Sequence, residues 1–112
     1  MAVVKVLTSD YNLRMYIVKR TAVFDTWLAG IKDSLTRIRL AKRLDKVQRG
    51  LLGDVEPVGE GVYEMREFFG PGWRMYYVER KGMIIVMLGG GDKSTQQADI
   101  AAAVALSRSI EE

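Results

Sequence analysis

Apolar positions along this chain recur first at helical spacing and then at strand spacing. From Thr21 onward, Val23, Phe24, Trp27 and Leu28 form one apolar face, and the Thr21 hydroxyl suits a helix cap. Gly30 lies near the end of that helix and blurs its boundary. Asp33 or Ser34 caps a second helix running to about Arg49 and closed by Gly50. Leu40, Leu44, Val47 and Leu51 fall at i, i+4, i+7 and i+11 on its inner face. Two helices joined this closely predict a helical hairpin. Upstream, Val3 to Leu7 and Met15 to Lys19 read as strands, with a turn at Thr8-Ser9-Asp10.

After Gly50 the period changes. Leu52 to Gly61 reads as a loop, marked by Gly53, Asp54, Pro57, Gly59 and Gly61. Val62 to Phe68 and Trp73 to Glu79 alternate as strands, separated by the turn Phe69-Gly70-Pro71-Gly72. A turn at Arg80-Lys81-Gly82 leads to Met83 to Leu88, apolar throughout and therefore central. Gly89-Gly90-Gly91 is expected to break that strand. Ser94 with Gln97 fits a capping box for a last helix, Thr95 to about Ser109. The order predicts one α+β domain over residues 1–112. Its mainly antiparallel twisted sheet has about four strands, with helices packed on one face. Residues 1–14 read as an extension to a core at 15–105.

Composition removes several kinds of chemistry. The chain has 112 residues, 48% hydrophobic and 28% charged, with no cysteine and no histidine. A disulfide scaffold, a thiolate site and a cysteine nucleophile are excluded. So is the usual general base near neutral pH, and no metal or cofactor is expected. Net charge is +3 and the pI about 9.3, which favours polyanionic partners only weakly. No signal-peptide pattern or membrane-length apolar run is present, so a cytoplasmic place without membrane contact is expected.

Where the charge sits changes the picture. Ile31 to Gly50 holds seven Lys or Arg against two Asp. Arg39, Lys42, Arg43, Lys46 and Arg49 share the outer helix face, a candidate track for a phosphate backbone or a plain solvated face. On the strands, alternation puts Glu64 with Arg66 and Arg74 with Tyr76. If the hairpin register aligns, two guanidiniums and a ring converge on one face. A cross-strand network in which Glu64 neutralises an arginine accounts for the same pattern. The third candidate, Gly89 to Ser94 with Lys93, stands where a strand meets a helix N-terminus. It lacks phosphate-loop spacing, and Asp92 intrudes. Phe24, Trp27, Met83 and Met87 are expected in the core.

Together these stretches resemble a known family. They are Phe24-x-x-Trp27-Leu28, Asp33 with the arginines around Ile38, Gly53-Asp54, Val58-Gly59-x-Gly61-Val62-Tyr63-Glu64-Met65-Arg66, Gly70-Pro71-Gly72-Trp73-Arg74-Met75-Tyr76, Gly90-Gly91-Asp92-Lys93-Ser94-x-Gln96 and Asp99-Ile100. Their order and spacing are similar to the HigB-like addiction-module killer proteins of the RelE/ParE toxin superfamily. The resemblance implies a compact α+β toxin and a cognate antitoxin, typically of helix-turn-helix type, with a heterotetramer as one assembly. It implies ribosome-dependent mRNA cleavage without metal, by 2′-OH attack; some relatives poison DNA gyrase instead, and an inactive RNA-binding remnant is a third reading. It places Arg66 and Arg74 as the phosphate clamp and Lys93 as charge stabiliser or proton donor. Side-chain direction adds Tyr76 as a stacking or orienting group. Glu64 stands where some relatives carry lysine, either as a base or as a salt-bridge partner. The last helix has no aromatic residue where some relatives do.

Overall fold

The structure, a computed structural model, describes residues 15–110. The expected strand at Val3 to Leu7 and its turn lie outside them. The elements are β1 (Ile17–Arg20), α1 (Ala22–Ala29), α2 (Ser34–Gln48), β2 (Val55–Gly59), β3 (Val62–Arg66), β4 (Arg74–Arg80), β5 (Ile84–Gly91), a 3-10 turn (Lys93–Thr95) and α3 (Gln96–Ser109). The helix starts follow from local chemistry. Thr21 accepts from the Phe24 N–H at 3.1 Å and donates to the Met87 carbonyl at 2.8 Å, fixing α1 to β5. Asp33 accepts from the Leu35 N–H and the Thr36 hydroxyl at the start of α2. That helix ends as Gly50 turns to φ 90° and the Leu51 N–H donates to the Lys46 carbonyl at 2.9 Å.

The sheet runs β1-β5-β4-β3-β2. β1 lies parallel to β5 and the other pairs are antiparallel. It has five strands rather than about four, because the expected loop at Leu52 to Gly61 contains β2. Pro57 argued against a strand there, but β2 is an edge, where the missing N–H can face away from the ladder. Nor do the glycines end β5. Gly89, Gly90 and Gly91 pair with Tyr76, Met75 and Arg74. The expected Ser94–Gln97 capping box does not form. Asp92 instead accepts from the Ser94 N–H at 2.8 Å and opens the 3-10 turn.

Helices cover both faces of the sheet, not one. α1 and α2 enclose Phe24, Leu28, Leu40, Leu44, Val47, Met65, Met75, Tyr77, Ile85 and Met87. α3 covers Val62, Tyr76, Val78, Val86 and Leu88 through Ala103, with Ile100, Val104 and Leu106 beside it. Strand alternation explains the division: every second residue of β4 goes to each layer. Leu51 and Met83, expected inside, lie on the surface.

Candidate functional site

β3 and β4 pair Glu64 with Tyr76 and Arg66 with Arg74. All four side chains therefore point to the α3 side, as alternation predicts. What that side does to them was not foreseeable. α3 covers Glu64 and Tyr76 completely enough that they are 2% and 0% exposed. The Glu64 carboxylate accepts from the Tyr76 hydroxyl at 3.2 Å and from Gln96 Nε2 at 2.7 Å. Gln96 is the first residue of α3, so one buried carboxylate ties the helix start to the sheet. Burial and the Glu64 charge push the Tyr76 hydroxyl well above the ordinary tyrosine range. Tyr76 offers no ring face to a base, which corrects the stacking role expected of it.

Arg74 is also buried. Its Nε faces Glu64 Oε1 at 3.6 Å and makes no hydrogen bond. Its Nη1 lies 3.4 to 3.5 Å from the carbonyl oxygens of Glu67, Gly72 and Trp73. These contacts are long, so the guanidinium keeps donor capacity in reserve. Arg66 differs. Its Nε and Nη2 fork onto the Asp54 carboxylate at 3.1 and 3.0 Å, with Glu56 at 3.5 Å. The Arg66 hydrogen bonds hold the Asp54 carboxyl below its usual range, and Asp54 in turn raises Arg66.

Lys93 completes the group. It is exposed on the 3-10 turn and makes no hydrogen bond or ion pair among the described residues. Gly72 separates it from Arg74: a Cβ on Gly72 would lie 3.5 Å from the Lys93 Cβ and 3.6 Å from Arg74 Nη1. Gly72 also adopts φ 82°, which only glycine takes readily. Carboxylates already take up part of the Gly-rich junction. Asp92 accepts from the Ser94 N–H of the 3-10 turn, and Asp99 accepts from the Thr95 hydroxyl at 2.6 Å. The glycines serve close packing, for Trp27 ring atoms lie 2.5 Å from where a Gly90 Cβ would sit.

The basic helix splits into two sets. Arg43, expected on the outer face, turns inward. It donates to the Arg66 carbonyl and Glu67 through Nη1, and to the Leu52 and Asp54 carbonyls through Nη2, at 2.5 to 2.9 Å. Arg39 lies over the Phe69 ring at 3.6 Å. Lys42, Lys46 and Arg49 are on the outer side and make no ion pair among the described residues. Arg39, Lys42, Arg43 and Lys46 line a shallow cavity of about 200 Å³ beside Glu67. No group of three or more potential metal-binding side chains occurs among the described residues. No helix among them is long and apolar enough to cross a membrane. Asp54, Glu67 and Gln96 were missed by sequence reasoning, since each acts on a partner distant in the chain.

No family model matches the chain. An uncharacterised protein of Haemophilus influenzae is 36% identical over 93 residues, spanning 83% of this chain and 94% of that one. The chain belongs to the same family as that protein. Solved structures extend the likeness at the level of fold. One is a variant of the Escherichia coli toxin RelE, with two arginines replaced by alanine, in the free state. It matches with a TM-score of 0.65 at 15% identity, over 82% of this chain and 97% of that one. A chain of the Mycobacterium tuberculosis toxin–antitoxin complex RelBE2 matches with a TM-score of 0.58 at 17% identity, over 70% of this chain and 99% of that one. The fold is therefore that of RelE toxins. Within this RelE-like fold, the end of the sheet carrying Arg66, Arg74 and Lys93 is the candidate functional site.

Proposed function

We propose that the chain is the toxin of a toxin–antitoxin pair, of the HigB-like kind, and that it cleaves mRNA on the ribosome without a metal ion. The observation that carries this reading is the placement of Arg74 and Lys93 on either side of Gly72, with Arg66 paired to Arg74 across the hairpin, in a RelE-like fold. Cations set side by side at one end of the sheet suit the charge that builds on phosphorus during attack. In the reaction the 2′ oxygen bonds to phosphorus while the bond to the 5′ oxygen breaks. Arg74 and Arg66 hold the non-bridging oxygens, and the Lys93 ammonium protonates the departing 5′ oxygen. Water takes the 2′ proton, since Glu64 is already occupied by Tyr76 and Gln96. The partners are mRNA on the ribosome and a helix-turn-helix antitoxin, with a toxin–antitoxin heterotetramer as the assembly. The place of action is the cytoplasm, and the outer cations of α2 supply attraction to RNA.

One observation favours a second reading, a gyrase poison without catalysis of its own. Glu64 and Tyr76, the side chains best suited to move a proton at this face, are buried and bonded to each other. Primer extension on mRNA after brief induction separates the two. Discrete cuts that vanish in Lys93→Met and Arg66→Ala support the nuclease. Intact mRNA with gyrase-linked DNA breaks supports the poison. Arg74→Ala is a poorer probe, because it strands the buried Glu64 charge and disturbs the fold as well.

A further inference from the structure

The loop closing the β3–β4 hairpin carries two adjacent phenylalanines with opposite fates. Glu67 and Phe69 point to the α2 side, where Glu67 meets Arg43 at 2.7 Å and Phe69 lies under Arg39. Phe68, between them, points to the other side. It is 77% exposed, more than any other large hydrophobic residue among those described. Its ring lies 5.9 Å from the Arg66 guanidinium carbon. The same loop ends at Gly72, against Arg74 and Lys93. The backbone around it is pinned: the Glu67 N–H donates to the Trp73 carbonyl at 2.9 Å and the Gly72 N–H to the Phe69 carbonyl at 3.2 Å.

From this geometry we infer that Phe68 is the platform on which a nucleobase of single-stranded RNA stacks while its phosphate meets Arg66. The assignment rests on the proposed action on RNA. A lone exposed apolar side chain is ordinary on a protein surface, and Leu35 is exposed too, at 68%. Phe68 differs in its neighbours. It is aromatic, held on a fixed loop, and on the same side as Arg66. The other aromatic residues of this region cannot do the job. Tyr76 is sealed beneath α3, Tyr77 is buried and stacks with Tyr63 at 5.5 Å, and Trp73 packs edge-on to Trp27 at 6.3 Å. α3 contributes no aromatic ring at all. Stacking tolerates any base, so the platform contributes affinity and placement with little sequence preference.

The test is equilibrium binding of a fluorescein-labelled twelve-nucleotide single-stranded RNA to the intact wild-type protein and to Phe68→Ala and Phe68→Trp. Removal of one stacked base pairing with a ring weakens binding about tenfold. Phe68→Ala is expected to show that weakening with an unchanged salt slope, because no charge is removed. Phe68→Trp is expected to bind as wild type, with tryptophan emission quenched by the RNA. Wild-type binding with an undiminished Phe68→Ala overturns the stacking role alone. Failure of the wild type to bind the RNA overturns this assignment, while the reading as a ribosome-dependent nuclease is decided separately by the cuts seen in primer extension. Undiminished RNA binding with impaired neutralisation by antitoxin would make Phe68 a protein-docking residue, and overturns the proposal too. Near-ultraviolet circular dichroism of Phe68→Ala matching wild type keeps a folding defect from imitating the expected weakening.

Discussion

Arg43 and Lys42 are neighbours on α2, yet they belong to different electrostatic regions. The inner region holds Arg43, Arg66 and Arg74, which face the carboxylates of Asp54, Glu56, Glu64 and Glu67. The outer region holds Arg39, Lys42, Lys46 and Arg49, which make no ion pair among the described residues. Lys93 joins the outer set in being exposed, but stands beside the inner one across Gly72. The inner guanidiniums are therefore structural and geometric in role. They close loops and hold a fixed arrangement of donors, and little net field escapes. The attraction felt by a distant polyanion comes from the outer set, which no ion pair cancels. Equal charges in the sequence thus divide into positioning and steering.

The largest effect that would break this comparison is on stability. Arg43 satisfies the carbonyl oxygens of Leu52, Asp54 and Arg66 as well as the Glu67 carboxylate. Arg43→Ala removes every one of these donors and leaves a carboxylate mostly buried. The expected cost is about 3–5 kcal/mol, read as a lower urea midpoint at an unchanged slope. Arg43→Lys should recover less than half of it, because a single ammonium cannot span acceptors on both sides of a planar fork. If Arg43→Ala costs no more than Lys42→Ala, the inner region is not structural and the division collapses.

A smaller effect concerns how well the two layers exclude water from the strands between them. Burial pushes the Tyr77 hydroxyl up to about 12, and the Tyr76 hydroxyl is raised further by burial beside Glu64. Raised values for an acid mean that the fold favours the neutral form. The stability this provides is complete below the unfolded value near 10 and is lost as pH rises through the folded values. Absorbance at 295 nm should therefore show two tyrosines that stay protonated in the folded protein at pH 11 and ionise when it unfolds. If both ionise near pH 10 with the fold intact, the cover provided by α3 and α2 is looser than described.

Which parts of this were legible in the chain depends on how local the cause is. Thr21 and Asp33 cap their helices through bonds spanning two or three residues, and the sequence alone suggests them. Glu64, Arg66, Arg74 and Tyr76 share a face because strands alternate and the hairpin is short. The inward turn of Arg43 was hidden because its acceptors lie 9 to 24 residues away, beyond any helical pattern. Tyr76 looked available because nothing on β4 reveals that α3 lies across it. The Gly89 to Gly91 run read as a strand break and only a candidate anion site, since Trp27 and Asp99, which need the missing side chains, come from two separate helices. Phe68 carried no signal of its own; only the loop geometry separates it from Phe69.

The smallest effect on stability is the sharpest test of the outer region. Lys42 and Lys46 make no ion pair among the described residues, so reversing them to Glu should cost about 1 kcal/mol, most of it from Lys46 in the last turn of α2. Binding to single-stranded RNA should respond differently. For every phosphate that is no longer neutralised, the slope of log K against log salt falls in magnitude by about 0.7. The double variant should therefore bind more weakly at low salt and converge on wild type as salt rises. Phe68→Ala, in contrast, should run parallel to wild type at every salt concentration. Steering by α2 and stacking at the hairpin are thus separable in one titration. An unchanged slope in Lys42→Glu/Lys46→Glu would return the outer face of α2 to plain solvation, leaving Lys93 and the inner arginines to account for all attraction to RNA.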